Sequence, residues 1–157
     1  MNLNHEINKI ILKLKNREFK NVIYSCEKLI KLKIENTIIY NLCGRAYQNL
    51  ALYEKSILKF EKAIELDGNN PFVLNNYAYY LSLRKDKLDK ARSLIERCVE
   101  LSPNTAPFED TYAWILFEMG EFDSALIWIE KALQHGGNAD GLILGHYGDL
   151  LSKLDRT

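Results

Sequence analysis

The 157-residue sequence has only three prolines and no run of glycine, serine or glutamine, so nothing in it marks a linker or a disordered tract. Charge of either sign is not in excess, because 21 Lys and Arg balance 21 Asp and Glu. That removes the usual electrostatic basis for binding nucleic acid or an anionic membrane. No apolar run approaches the roughly 20 residues that a membrane-spanning helix needs. The first residues, MNLNHEINKIILKLKN, lack the apolar core and small-residue cleavage site of a secretory signal. As written, the chain is expected to be cytoplasmic. A missing leader or N-terminal part would make it periplasmic or envelope-associated.

The three cysteines, Cys26, Cys43 and Cys98, form no CxxC and show no metal-ligand spacing. Each falls on an apolar stripe and is expected as a small buried hydrophobe in a reducing compartment. Cys26 and Cys43 fall on neighbouring helices, which leaves a disulfide open as the alternative. His5, His135 and His146 have no HxxxH pairing. GxSxG and GxxxxGK[ST] are missing, as is any glycine-rich loop after a strand. The expectation is no enzyme, no catalytic residue, no metal and no cofactor.

What the sequence does contain is helical periodicity. Ile7, Ile10, Ile11 and Leu14 recur at the 3–4 spacing of one helix face over residues 4–15. The pattern continues over 19–33, 37–50, 53–66, 71–83, 88–101, 107–118, 122–134 and 140–153. Strict alternation of period two is nowhere sustained, so no sheet is expected. The breaks carry turn chemistry: Asn36-Thr37, Asp67-Gly68-Asn69-Asn70-Pro71, Arg84-Lys85-Asp86-Lys87, Ser102-Pro103-Asn104 and His135-Gly136-Gly137-Asn138. His135 reads as a cation at a helix C-terminus, followed by a glycine cap.

These helices repeat. Gly44 is followed by Ala78, Ser56 by Ala91, and Ala63 by Cys98, at steps of 34, 35 and 35 residues. A period of that length indicates a helical array. Gly44 in a helix interior costs about 1 kcal/mol relative to Ala, which points to a second helix passing too close for a Cβ. One helix pair cannot bury both its faces, so each depends on the next.

The residues that carry a resemblance are these. The second repeat reads Tyr40-x2-Cys43-Gly44-x2-Tyr47, then Ser56-x3-Phe60 and Ala63. The third reads Leu74-x2-Tyr77-Ala78-x2-Leu81, then Ala91-x3-Ile95, Cys98 and Pro103. The fourth reads Tyr112-Ala113-x2-Leu116, then Ala125-x3-Ile129 and Ala132, and the last helix reads Leu144-x2-Tyr147-Gly148-x2-Leu151. The pattern resembles the tetratricopeptide repeat family. The first repeat is degenerate, with Lys9-Ile10 in place of Leu-Gly. The closing repeats resemble those of large bacterial tetratricopeptide proteins, many of them envelope-associated.

The resemblance implies an all-α fold, a right-handed superhelical solenoid of antiparallel helix pairs. It covers residues 1–157 as a single domain of about four units, at about 3–36, 37–70, 71–105 and 106–140, with a capping helix at 141–154. By the same resemblance the first helix of each pair (helix A) lines a concave surface. The expected function is a non-enzymatic scaffold that binds a protein or peptide segment in that groove. The stripes beside the structural ones supply the candidate binding residues. These are Asn41, Arg45, Asn49, Asn75, Asn76 and Tyr79, then Asp110, Trp114, Phe117, His146 and Asp149. Asn can pair with a peptide N–H and C=O at once, and Arg can hold a carboxylate as a fork. Tyr and Trp are rigid amphipathic anchors. Chaperone-binding relatives use a Lys/Asn/Arg carboxylate clamp. Only Asn76 matches it here, since Ile7, Pro107 and Thr111 stand at the other clamp positions, so that activity is not carried over. Trp128 is expected to pack against the last helix.

Charge asymmetry supports an alternative. Residues 1–35 carry eight Lys/Arg against four Glu, and residues 106–149 carry eight acids against Lys131 alone. Such ends suit a self-assembling structural module, a homo-oligomer joined head to tail. A further alternative is a fragment of a larger envelope-associated protein. No nucleic acid and no membrane insertion are expected.

Overall fold

The computed structural model describes residues 1–85 and 87–155. These residues form nine α-helices and no strand. In order they are α1 (Leu3–Lys15), α2 (Phe19–Lys31), α3 (Thr37–Asn49), α4 (Tyr53–Leu66), α5 (Pro71–Arg84), α6 (Leu88–Leu101), α7 (Ala106–Glu118), α8 (Phe122–Gln134) and α9 (Gly141–Lys153). A single 3-10 turn, Gly137–Ala139, precedes α9. Every expected helix is present. The turn expected at 84–87 includes Asp86, which lies outside the described residues.

The odd-numbered helices mostly begin on a side-chain cap. Asn2, Asn36, Asn70 and Asp140 each accept from backbone N–H groups of the first turn, at 2.8–3.3 Å. This satisfies donors that the helix itself cannot. Even-numbered helices have no such cap. They follow tight turns in which one residue takes left-handed backbone: Arg17 (φ 61°), Ala51 (φ 60°), Lys85 (φ 64°) and Gly120 (φ 80°). In three of these turns the next N–H donates back five residues, Glu18 to Lys13, Leu52 to Tyr47 and Glu121 to Leu116, each at 2.9 Å. That is the Schellman closure, which ties off the carbonyls at the end of the preceding helix.

The chain divides into two compact units, Met1–Asn76 and Tyr77–Thr157, with the division inside α5. In the first unit, Ile7, Ile10 and Leu14 of α1, Val22, Cys26 and Leu29 of α2, and Ile39, Leu42, Cys43, Ala46 and Tyr47 of α3 form one buried cluster. The α3–α4 contact is closer. A methyl group on Gly44 would sit 3.0 Å from the Phe60 ring. The same approach lets the Ser56 hydroxyl donate to the Gly44 carbonyl at 2.8 Å, and Thr37 donates to the Ala63 carbonyl at 2.7 Å. Both bonds run between helices, through backbone that bulkier residues would hold apart.

All three cysteines are buried and free. The Cys43 thiol is pushed up by its hydrogen bond with Cys26, then by burial, so it stays protonated and inert.

In the second unit α9 packs on α7 and α8. The expected stripe on α9 is displaced. Ile143 and Leu150 are the buried residues, while Leu144 is 45% exposed and Gly148 has no neighbour that a methyl group would touch. The reason is that α7 and α8 occupy one side of α9, and among the described residues no helix stands on the side that Leu144, Gly148 and Leu151 would face. Trp128 does not pack as expected against the last helix. Its ring lies 4.5 Å from that of Tyr112 on α7, with the Lys131 ammonium over it at 4.2 Å.

Candidate functional site

The candidate residues of the first unit lie on α3 and the first half of α5. Asn41 points inward and is only 7% exposed. Asn76 donates its side-chain N–H to the Asn41 Oδ1 at 3.2 Å. The Asn41 amide oxygen is therefore used by the fold. One turn along α3, Arg45 is half-buried, and its guanidinium makes no hydrogen bond or ion pair among the described residues. Asn49 is exposed and donates to the Arg45 carbonyl at 2.8 Å, closing the last turn of α3. Asn75 is half-buried, with a buried Oδ1 that has no donor. Arg45, Asn75 and Asn76 thus retain polar capacity that the first unit does not consume.

The second unit brings together Tyr79, Asp110, Trp114, Phe117 and His146. Asp110 is 5% exposed, and His146 Nδ1 lies 2.8 Å from its Oδ1. The His146 ring stacks on Trp114 at 4.4 Å, and Trp114 stacks on Phe117 at 4.9 Å and 11°. Trp114, Phe117, His146 and Tyr79 are half-buried, so edges of these rings face solvent. Burial first, then the neighbouring Tyr80 hydroxyl and Asp110 carboxylate, push the Tyr79 hydroxyl above its usual range. The crevice between Trp114, His146 and Leu150 is about 10 Å³, the size of a single water. Asp149 does not join this cluster. It is exposed on the outer side of α9, where it makes no hydrogen bond or ion pair among the described residues.

The adjacent carboxylate, Glu109, is 3% exposed and is held by His135 Nδ1 at 2.7 and 3.0 Å. His135 caps α8 as expected, and its ring also reaches α7. Gly137 beyond it is required sterically, since a methyl group there would lie 2.6 Å from the Ala132 carbonyl oxygen. Among the described residues no group of three His, Cys, Asp or Glu could hold a metal ion. Among them, too, no helix is long and apolar enough to cross a membrane.

Two charged networks escaped the sequence reading. Glu27 on α2 accepts from Tyr47 at 3.1 Å and Cys43 at 3.6 Å, and pairs with Lys59 at 2.7 Å. Glu96 on α6 accepts from Tyr112 at 3.1 Å and pairs with Arg92 at 2.8 Å, and Arg92 also reaches Glu121 at 2.6 Å. Each ties an even-numbered helix to the odd-numbered helix after it. The signal was periodic, because Glu27, Glu61, Glu96 and Glu130 each follow a buried position of the repeat, at Cys26, Phe60, Ile95 and Ile129.

Models of the tetratricopeptide repeat match residues 38–70 and 59–93. Residues 38–93 carry the tetratricopeptide repeat. No curated protein matches it by sequence. Among solved structures it is similar to PilF of Pseudomonas aeruginosa, at TM-score 0.85 and 18% identity, over 97% of this chain and 68% of that one. It is similar to the first repeat domain of Spaghetti (RPAP3) bound to the HSP90 peptide SRMEEVD, at TM-score 0.68 and 18% identity, over 76% and 94%. It is also similar to YrrB, described as having an unusual peptide-binding site, at TM-score 0.72 and 18% identity, over 96% and 77%. These likenesses establish an all-α helical-repeat fold of the solenoid class. Proteins built from tetratricopeptide repeats are in general non-enzymatic scaffolds for protein–protein interaction.

Proposed function

We propose that this protein holds an extended protein segment along the inner stripe of α3 and the start of α5, and that the segment carries a carboxylate. The observation behind this reading is Arg45. It is half-buried on α3 and has no acidic partner among the described residues, whereas Lys59 and Arg92 are both committed to glutamates. A guanidinium in that setting is a ready two-pronged donor to a carboxylate. Asn75 and Asn76 supply donors and acceptors for a peptide backbone. By itself, the half-exposed Trp114–Phe117 stack of the second unit offers a rigid apolar surface of the kind found at binding hot spots. Two neighbours in fold, the Spaghetti domain and YrrB, are described as binding peptides.

The test is selection from a random peptide library on the intact chain. The expected outcome is enrichment of peptides bearing Asp, Glu or a free C-terminal carboxylate. Arg45→Glu should weaken the selected peptides roughly tenfold or more, because hydrogen bonds to charged groups contribute about 1.5–3 kcal/mol. Arg45 is not part of the core, so the variant should keep its helical circular dichroism. Equal binding of the selected peptides to both forms would overturn the reading.

A further inference from the structure

A second surface lies at residues 1–32. A cleft of about 400 Å³ opens there, lined by Ile10, Leu32 and Tyr24, with Lys9, Lys13 and Lys28 and a single acid, Glu6, around it. Tyr24 is 72% and Leu32 58% exposed. Lys9 is paired with Glu6, and Lys13 donates to Ser25, but Lys28 makes no hydrogen bond or ion pair among the described residues. An apolar floor with a basic rim selects an amphipathic segment that is acidic at its edge.

One such segment is in this chain. Leu142, Gly145 and Asp149 share one exposed stripe of α9, because residues three, four and seven apart lie on one helix face. Leu142 is 58% exposed, and a methyl group added at Gly145 would meet nothing. Asp149 stands on this stripe without an ion pair among the described residues. Several acids of the second unit are unavailable: Glu109 and Asp110 are held by histidines, Glu118 by Lys85 and Glu121 by Arg92. The broad negative charge of residues 106–149 therefore narrows to a few exposed carboxylates, and Asp149 is the one set beside exposed apolar surface on α9.

We propose that the α1–α2 cleft receives the Leu142–Asp149 stripe of α9 from a second copy of the chain, with Lys28 meeting Asp149. The contact is heterologous, because the two surfaces differ. A pair of copies joined in this way keeps one free cleft and one free α9, so assembly proceeds beyond a dimer unless it closes into a ring. The charged part of the contact is screened by salt.

Sedimentation velocity on the intact chain tests this. The expected result is a mass that rises with concentration and falls on adding salt. Lys28→Glu sets two acids face to face, and Asp149→Lys sets two cations face to face. Each variant alone should sediment as a monomer. Mixing the two in equal amounts should restore association, since the carboxylate introduced in one chain then meets the ammonium introduced in the other. Both positions are exposed, so circular dichroism should be unchanged. A wild-type mass independent of concentration and salt overturns the proposal. So does association that persists in each variant, or a mixture that stays monomeric.

Discussion

Asn76 and Asn41 lie 35 positions apart in the chain, and the side-chain N–H of Asn76 donates to the Asn41 Oδ1 at 3.2 Å. Equivalent positions of two successive repeats thus meet directly, as the period requires of adjacent odd-numbered helices. Because Asn41 is buried, Asn76→Ala should leave its Oδ1 without a donor at a cost of about 1–3 kcal/mol. Replacing both residues with leucine should cost less than that single change. Urea unfolding of the three forms checks the ordering.

Gly44 and Gly148 occupy the same place in the repeat and should respond in opposite ways. At Gly44 a methyl group meets the buried Phe60 ring at 3.0 Å. Overpacking of about 1–3 kcal/mol there outweighs the roughly 1 kcal/mol that alanine gains in helix propensity. At Gly148 nothing lies within reach. Gly148→Ala should therefore stabilise by up to about 1 kcal/mol. Melting temperatures of the two variants, one below and one above wild type, are the expected result.

The left-handed residue of each Schellman turn makes a third prediction. Ala51 holds φ 60° and Gly120 holds φ 80° at corresponding turns. Left-handed backbone costs an L-residue about 1–2 kcal/mol, and glycine almost nothing. Ala51→Gly should be neutral or stabilising by up to about 1 kcal/mol, whereas Gly120→Ala should destabilise by about that amount. Thermal unfolding of the pair reads both signs.

Glu27 makes the acid limb of stability measurable. Burial pushes its carboxyl upward, but the Lys59 ammonium at 2.7 Å and the Tyr47 and Cys43 hydrogen bonds prevail, so it titrates below its ordinary 4.5. A lowered folded-state value means that its contribution is fully present above 4.5 and is lost as pH falls through the folded-state value. Glu27→Gln should therefore be less stable than wild type at neutral pH, and the two should converge as pH falls through that lowered value. The group is partly exposed, so the difference is modest. Denaturant titrations at several pH values would show the convergence.

Several features were legible in the residues alone. Apolar spacing located all nine helices of the described residues, and the 34- and 35-residue steps picked out Gly44 as a place of close helix approach, which Phe60 makes. Helix periodicity is a local property, and small residues recur because every repeat meets the same packing problem. The Schellman turns were less legible, since Arg17 and Ala51 are not residues that announce left-handed backbone. The recurring glutamates were present in the sequence but look like ordinary solvated charge until Tyr47 and Tyr112 are placed beside them.

Among the candidate binding residues, spacing chose the helices but could not tell which side chains the protein keeps for itself. Asn41 is consumed by Asn76 and Asp110 by His146, whereas Arg45 on α3 and Asp149 on α9 are left without ion pairs among the described residues. Pattern on one helix specifies a face, but a polar group is free or committed according to what the next helix brings within about 3 Å of it. The fold could therefore be read from local periodicity, and the division between packing residues and available ones arose only when distant segments came together.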